Sequence, residues 1–324
     1  MSRLEDHCIN ETVQKILRNK KKALIIGIGG GGDVVSTLPI SRRIESLGIK
    51  SILGGVAWQW AWSIDPKPGP RSLDDIKNYK KLSDTVALVT SSTVIPGCKS
   101  EYPEIIISKL FDKDVVLIDI TKGVPGVVSG LREACRILHF DVLIGVDAGG
   151  DVLATGKEHG LRSPEADAIM LASMAKLEIP SLLCVVGLGL DGELTLEELK
   201  RNIAKCSKYG GYLGSCKLDS EDAQLYEKCL QSGVKSSVGQ LILNALKGRF
   251  GRFPFPSDKI YNVKVSRSAL RILFFDPKVV FNHLNEMSRK IASENDFEEI
   301  NRIITLYGIK TMYNREKEFI AKIR

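Results

Sequence analysis

The sequence lacks the features that mark membrane-spanning, secreted and zinc-binding proteins. No apolar run approaches the roughly 18 to 20 residues that span a bilayer, and the polar first twelve residues contain no signal-peptide core. The seven cysteines form no C-x-x-C pair, which argues against a zinc knuckle and a disulfide framework. We therefore expect a cytoplasmic protein with reduced thiols and no membrane partner.

Several catalytic signatures are also missing. The sequence contains no G-x-S-x-G elbow, no Walker A motif and no H-E-x-x-H. Serine hydrolase, P-loop NTPase and zincin interpretations are therefore unsupported.

The net charge is +7, but the positive charge is not spread evenly along the chain. Residues 25–200 carry 18 Lys and Arg against 23 Asp and Glu, so this part of the chain is acidic. The basic excess lies outside it, without a recognisable nucleic-acid motif. We expect no nucleic-acid partner.

Short apolar runs alternate with helical patterns over the first two hundred residues. The run 23–28 is branched and continuously apolar, which is typical of a buried strand, and a helical pattern follows it. Similar runs recur at 50–56, 85–90, 115–120, 142–146 and 181–186. The alternation predicts an α/β fold with a Rossmann-like, mostly parallel, doubly wound sheet. Residues 1–215 are predicted to form the ligand-binding domain, and 216–324 a mainly helical C-terminal extension packed on the same unit.

A glycine-rich loop follows the first predicted strand and contains a G-x-G-x-x-G pattern at 27–32. Exposed N–H groups before a helix favour an anion such as phosphate. The predicted ligand-binding residues here are Gly29, Gly30, Gly31, Gly32 and Asp33. A NAD(P) site is the weaker interpretation, because the second strand offers no acidic residue for a ribose hydroxyl. A tight turn with Asp33 as helix N-cap is the structural alternative.

Further acidic residues follow later predicted strands. Asp147 and Asp151 are four apart around glycines, and Asp191 lies in another glycine loop. Carboxylates gathered at one sheet edge suit a hard cation, so we predict that these three residues hold a divalent metal, Mg²⁺ or Mn²⁺. A polyhydroxylated ligand or raised pKa values would be other ways to tolerate the cluster.

Four residues near these loops are predicted to act in catalysis. Asp119 and Lys122 follow the strand at 115–120, where Lys122 would meet a negative group and Asp119 a metal or hydroxyl. Arg162 would offset charge in the transition state, and Glu193 lies beside the predicted cleft. A solvated lysine at a helix entry is the plain alternative for Lys122.

Residues 58–71 interrupt the alternating pattern. Trp58, Trp60 and Trp62 precede the stretch D-P-K-P-G-P-R, which is too rich in proline for a helix or central strand. We predict an ordered surface loop in which Trp58 contacts the ligand and Arg71 clamps a carboxylate or phosphate. The tryptophans could instead be core residues or contacts in a homo-oligomer.

The motifs GIGGGGDVV, GGVAW, DPKPGPR, GVDAGGDVL and DGELT together resemble an uncharacterised, largely archaeal family classed as a domain of unknown function. The resemblance covers residues 23–215. It implies that this combination of motifs recurs, and it implies no reaction.

Taken together, the loops favour a metal-dependent enzyme, a hydrolase or group transferase, acting on a small phosphorylated or polyhydroxylated metabolite. An NAD(P)-dependent oxidoreductase and a non-catalytic metabolite or nucleotide sensor are the alternatives. All three interpretations put a small-molecule ligand at one edge of the sheet.

Overall fold

A nine-stranded mixed sheet forms the centre of the protein. The computed structural model describes residues 9–62 and 64–323. The strands are β1 (Lys22–Gly27), β2 (Lys50–Val56), β3 (Lys80–Lys81), β4 (Val86–Val89), β5 (Val115–Ile118), β6 (Val142–Ala148), β7 (Ser181–Val186), β8 (Tyr212–Lys217), β9 (Gly251–Phe255), β10 (Asp258–Val265) and β11 (Arg271–Phe275). The antiparallel pair β9 and β10 forms a separate two-stranded sheet.

Helices surround the sheet. They are α1 (Glu11–Leu17), α2 (Thr37–Ser46), α3 (Pro103–Phe111), α4 (Gly123–Leu138), α5 (Pro164–Lys176), α6 (Leu196–Lys208), α7 (Ser220–Gln231), α8 (Ser237–Leu246), α9 (Pro277–His283), α10 (Glu286–Lys290), α11 (Phe297–Thr305) and α12 (Met312–Ile323). Short 3-10 turns lie at Asp33–Ser36, Leu73–Asp75, Asp151–Leu153 and Arg267–Leu270. Within the described residues, no helix is both long and apolar enough to cross a membrane.

Alternate side chains of β1 pack on opposite faces of the sheet, which explains its continuously apolar sequence. Leu24 and Ile26 belong to a cluster that includes residues of α4, α5 and the C-terminal helices. Ala23 and Ile25 belong to a second cluster, with residues of α2, α3, α7 and α8. A strand covered on both faces has no solvent side, so every position is apolar.

The strand order is β3-β4-β5-β2-β1-β6-β7-β11-β8. The five strands from β5 to β7 run parallel to one another. The chain moves outward from β1 to β2 and β5, then returns to the other side of β1 with β6, so the order reverses between β1 and β6. The loops after these two strands diverge at such a point and leave a crevice at their carboxyl ends.

The predicted Rossmann-like, mostly parallel α/β fold is confirmed, and one of the predicted strands runs antiparallel to its neighbour. β4, predicted at 85–90, pairs antiparallel with β5. All four of its residues are buried, and a continuous apolar run reports burial on both faces without reporting strand direction.

The C-terminal region is helical, and it also contributes to the main sheet. β11 inserts between β7 and β8 and pairs antiparallel with both. Its sequence, RILFF, was not predicted as a strand because a short apolar run between helical patterns carries no periodicity that separates helix from strand.

Candidate functional site

A cavity of about 490 Å³ lies at the carboxyl ends of the central strands. Loops that follow β1, β6 and β7 meet there, as the sequence predicted from their positions after parallel strands. The cavity residues from these loops are Gly29, Gly30, Gly31, Asp33, Ala148, Asp151, Asp191 and Glu193. The site therefore lies at the crevice where the strand order reverses.

Three carboxyl groups from different elements converge beside this cavity. Asp33 follows the glycine loop, Asp147 lies in β6, and Asp167 lies in the first turn of α5. Each offers a ligand oxygen, and the three oxygens lie within 4.8 Å of one another. Oxygen ligands of Mg²⁺ and Ca²⁺ lie about 2.0 to 2.6 Å from the ion, so this spacing fits three ligands of one cation.

This acidic triad, defined as Asp33, Asp147 and Asp167, differs from the predicted metal set. Asp147 is common to both, whereas Asp151 and Asp191 line the cavity next to the triad. Asp167 was not singled out for a role. Acidic residues are common in the first turn of a helix because the helix dipole stabilises them there. The position of Asp167 in the sequence therefore did not indicate a metal ligand.

Backbone amides hold two members of the triad. Asp33 Oδ2 accepts from the N–H of Gly29 at 3.2 Å and of Ala148 at 3.3 Å. Asp147 accepts from the N–H of Gly150 at 3.3 Å and of Val152 at 3.2 Å. These long hydrogen bonds orient the two carboxylates and leave further lone pairs for another ligand.

Two carboxylate oxygens at this place lack any such partner. Asp167 is 3% exposed and Asp191 is 8% exposed. In the described part of the chain, Asp167 Oδ1 and Asp191 Oδ2 are buried without a hydrogen-bond donor. A buried, unpaired carboxylate oxygen is costly, so these oxygens call for a proton or a cation.

Burial raises the pKa values of the whole acidic group. It raises the pKa of Asp33 to about 8 and that of Asp191 to about 7. The pKa values of Asp147, Asp151 and Asp167 lie well above the usual range, first through burial and then through repulsion between these neighbouring carboxylates. At neutral pH the group must hold protons or bind positive charge.

Arg162 and Glu193 lie together at the edge of the acidic group. Arg162 Nη2 donates to the backbone carbonyl oxygen of Asp191 at 2.9 Å, and its guanidinium lies 4.0 Å from the ring centroid of Tyr261. The Glu193 carboxylate accepts from the N–H of Arg162 at 2.6 Å and of Ser163 at 3.0 Å. Glu193 thus binds the amides that precede α5, where a negative charge is favourable.

Aromatic side chains make up much of the remaining lining. They come from the segment after β2, from the β9–β10 hairpin and from α12. We call them the aromatic wall: Trp60, Trp62, Phe255, Tyr261 and Phe319. Trp62 meets Phe319 edge to face at 5.9 Å between ring centroids, and Phe255 stacks on Tyr261 at 4.8 Å.

The glycine loop packs against the protein's own groups. A Cβ on Gly31 would lie 2.3 Å from Nε1 of Trp60, and the Gly31 N–H donates to the carbonyl oxygen of Trp58 at 3.1 Å. The Gly29 N–H already binds Asp33. Two amides expected to bind an anion are therefore engaged, and the geometry gives no support to a pyrophosphate on this loop.

The close packing of Trp60 makes Gly31 sensitive to substitution. Gly31 has a φ of +70°, and Gly48 has a φ of +79° with no neighbour within 4 Å of an added Cβ. Gly48→Ala should therefore cost only the left-handed backbone penalty, about 1–2 kcal/mol. Gly31→Ala should cost an additional ~1–3 kcal/mol in urea unfolding, because Trp60 must move. Equal costs for the two variants would show that the ring contact is unimportant.

Trp58 and Arg71 lie outside the cavity lining, in a segment that is largely buried rather than a surface loop. Trp58 is 1% exposed, and its Nε1 donates to Glu316 at 3.0 Å. The Arg71 guanidinium forms two hydrogen bonds with the buried carboxylate of Asp65. Asp65 and Arg71, the two ends of the D-P-K-P-G-P-R motif, therefore form an ion pair with each other. This ion pair engages the guanidinium that was predicted to bind a carboxylate or phosphate of the ligand.

Asp119, Lys122 and Gly32 also lie outside the lining. The Asp119 carboxylate accepts from the N–H of Leu73 at 3.0 Å and of Thr121 at 2.7 Å. Lys122 is exposed, and its Nζ lies 3.3 Å from the carbonyl oxygen of Asp84. The first two follow β5, which β2 separates from β1. A Cβ on Gly32 would lie 2.4 Å from the carbonyl oxygen of Lys235.

Fold and site define a Rossmann-like α/β protein with an acidic, aromatic-walled cavity at the switch point of its sheet. The chain belongs to the family described as "Protein of unknown function (DUF1152)", whose model matches residues 24–320. This match confirms the resemblance seen in the motifs and extends it through most of the C-terminal helices. No curated protein and no solved structure matches the chain.

Proposed function

We propose that the protein is a metal-dependent hydrolase or group transferase that acts on a small phosphorylated metabolite. The acidic triad would bind Mg²⁺ or Mn²⁺, with Asp151 and Asp191 next to the ion. The observation that carries the proposal is the convergence of buried carboxylates, two of whose oxygens have no hydrogen-bond donor within the described residues.

A divalent cation suits this site better than protons alone. Carboxylate oxygens are the preferred ligands of Mg²⁺ and Mn²⁺, and one such ion would offset two of the crowded negative charges. An ion in this place would also polarise a phosphoryl oxygen and activate a water molecule. Arg162 and Arg315 line the same cavity and favour an anionic substrate.

The residues around the ion suggest a division of roles. Asp191 would be the general base that takes a proton from water, because its Oδ2 has no hydrogen-bond donor among the described residues. Arg162 would stabilise negative charge that develops on the substrate. Glu193 would be a positioning residue, because its hydrogen bonds fix the backbone of Arg162.

Cation binding should depend strongly on pH. Protons and metal compete for the same oxygens, so Mn²⁺ affinity should rise between about pH 6 and pH 8.5, with protons released on binding. Calorimetry in two buffers of different ionisation enthalpy measures this release. Unchanged affinity over that range would contradict the raised pKa values.

The stability of the metal-free protein should change in the opposite direction. The pKa of Asp33 is about 8 in the folded state, against about 3.9 for an unfolded aspartate. The contribution of Asp33 to the free energy of unfolding is fully present below the unfolded pKa, and it is lost as the pH rises toward 8. Thermal unfolding should therefore show a falling Tm between about pH 5 and pH 8, and Mn²⁺ should reverse the fall.

The proposed reaction is tested by incubating the protein with a mixture of phosphorylated metabolites, with Mn²⁺ or with EDTA. Mass spectrometry should detect a product that forms only with Mn²⁺ and is lost in Asp191→Asn. A ligand that stabilises the protein without any turnover would favour a sensor instead.

A further inference from the structure

We infer that the substrate is a mononucleotide-sized phosphate ester that carries a planar aromatic ring, as a nucleoside phosphate does. The inference rests on the proposed function and adds the chemical class of the substrate. The observation behind the inference is the aromatic wall, because a metal-dependent reaction on a phosphate does not itself need aromatic side chains in the cavity.

The side chains of the aromatic wall line one part of the cavity. All five are half-buried, so each is packed against the protein and keeps part of its surface accessible. Trp60 packs closely over Gly30 and Gly31, and Trp62 contacts Phe319. Rings supported in this way are held in place and need little ordering when a flat ligand stacks on them.

The aromatic and acidic parts belong to one cavity. Tyr261 joins them, since the guanidinium of Arg162 lies over its ring and also binds the backbone of Asp191. A ligand that stacks on the wall thus extends toward a positive charge and the acidic triad. A nucleoside phosphate matches this arrangement. Its base would stack on the aromatic wall, its sugar hydroxyls would meet carboxylates, and its phosphate would bind the metal.

The size of the cavity limits the ligand. Its volume of about 490 Å³ lies in the lower half of the range for small-molecule sites, roughly 300–1,000 Å³. The glycine loop amides at Gly29 and Gly31 are engaged by Asp33 and Trp58, so they are not available for a second phosphate group. These two observations favour a mononucleotide over a dinucleotide.

Calorimetry on the Mn²⁺-loaded protein tests the inference with AMP, GMP, CMP, UMP and ribose 5-phosphate as probes. At least one nucleotide should bind about tenfold or more tightly than ribose 5-phosphate, which has the sugar and phosphate without the ring. Trp62→Leu and Phe319→Leu should each weaken that nucleotide about tenfold, the effect of losing one stacking contact. Neither should change the affinity for ribose 5-phosphate or Mn²⁺.

Tyr209→Leu is the matched control, because Tyr209 is exposed and stacks on His283 outside the cavity lining. It should leave every affinity unchanged. Ribose 5-phosphate binding as tightly as all four nucleotides would overturn the inference, as would wall variants that bind the preferred nucleotide normally. Failure of the unaltered protein to bind Mn²⁺ would overturn the proposed function, whereas Mn²⁺ binding without nucleotide preference overturns only the inference.

Discussion

Asp167→Asn is expected to weaken Mn²⁺ binding at least about 100-fold at pH 8. Asparagine keeps the size of the side chain but removes the negative charge and one carboxylate oxygen from the acidic triad. The same change should raise the stability of the metal-free protein at pH 8, because it removes a buried acid with a raised pKa. Calorimetry and thermal unfolding measure the two effects, and their opposite signs separate a lost ligand from a damaged fold.

Glu165→Gln is the matched control for this variant. Glu165 lies on the same helix, is fully buried, and has a pKa that burial raises to about 8. Its Oε1 accepts from the N–H of Tyr313 at 3.1 Å, and it does not line the cavity. Mn²⁺ affinity should be unchanged in Glu165→Gln. Normal Mn²⁺ binding by Asp167→Asn would remove this residue from the proposed site.

Glu316→Ala is expected to destabilise the protein by about 3–5 kcal/mol in urea unfolding at pH 5, below the pKa of about 7 to which burial raises this carboxyl group. Glu316 lies on α12 and is fully buried. Its carboxylate accepts from Trp58 Nε1 at 3.0 Å and from the N–H of Ala61 at 2.7 Å and of Gly69 at 2.8 Å. Alanine would leave all three donors buried without an acceptor.

Two further variants make this prediction specific. Glu316→Gln keeps one acceptor oxygen and should lie between the unaltered protein and the alanine variant. Glu318→Ala, two residues along the helix, removes a half-exposed ion pair with Lys310 and should have no measurable effect. If Glu316→Ala unfolds like the unaltered protein, the contact between α12 and residues 58–71 does not stabilise the fold.

The sequence predicts which loops meet at the candidate site, because the rule behind that prediction is local. The sequence shows an apolar run followed by a loop of glycines and aspartates in two places, with the loops at Gly29 to Asp33 and at Asp147 to Asp151. In a parallel sheet the loops after neighbouring strands meet at one edge. The structure brings these two loops together with Asp191 for that reason.

The same rule fails where strand order matters. Asp119 follows a strand as the others do, but its strand lies beyond β2, away from the point where the order reverses. Sequence periodicity identifies strands but does not give their order in the sheet.

Trp58 and Arg71 have the residue types of a ligand site, yet they bind Glu316 and Asp65 inside the protein.

The tryptophan stretch was predicted to lie near the ligand, but the rest of the aromatic wall could not be predicted because it is assembled over long sequence distances. Trp62 follows β2, Tyr261 lies in the separate hairpin, and Phe319 lies in the last helix. In the sequence, Tyr261 and Phe319 each resemble an ordinary core or surface residue. They line one cavity because the β9–β10 hairpin and α12 both lie beside the segment that follows β2.

The most direct test of the proposed metal site is an anomalous difference map from crystals of the protein grown or soaked with Mn²⁺. We expect a peak between Asp33, Asp147 and Asp167, with carboxylate oxygens about 2.0 to 2.6 Å from the ion. A map with no peak among these three carboxylates at saturating Mn²⁺, or with the ion bound elsewhere, would contradict the proposed site.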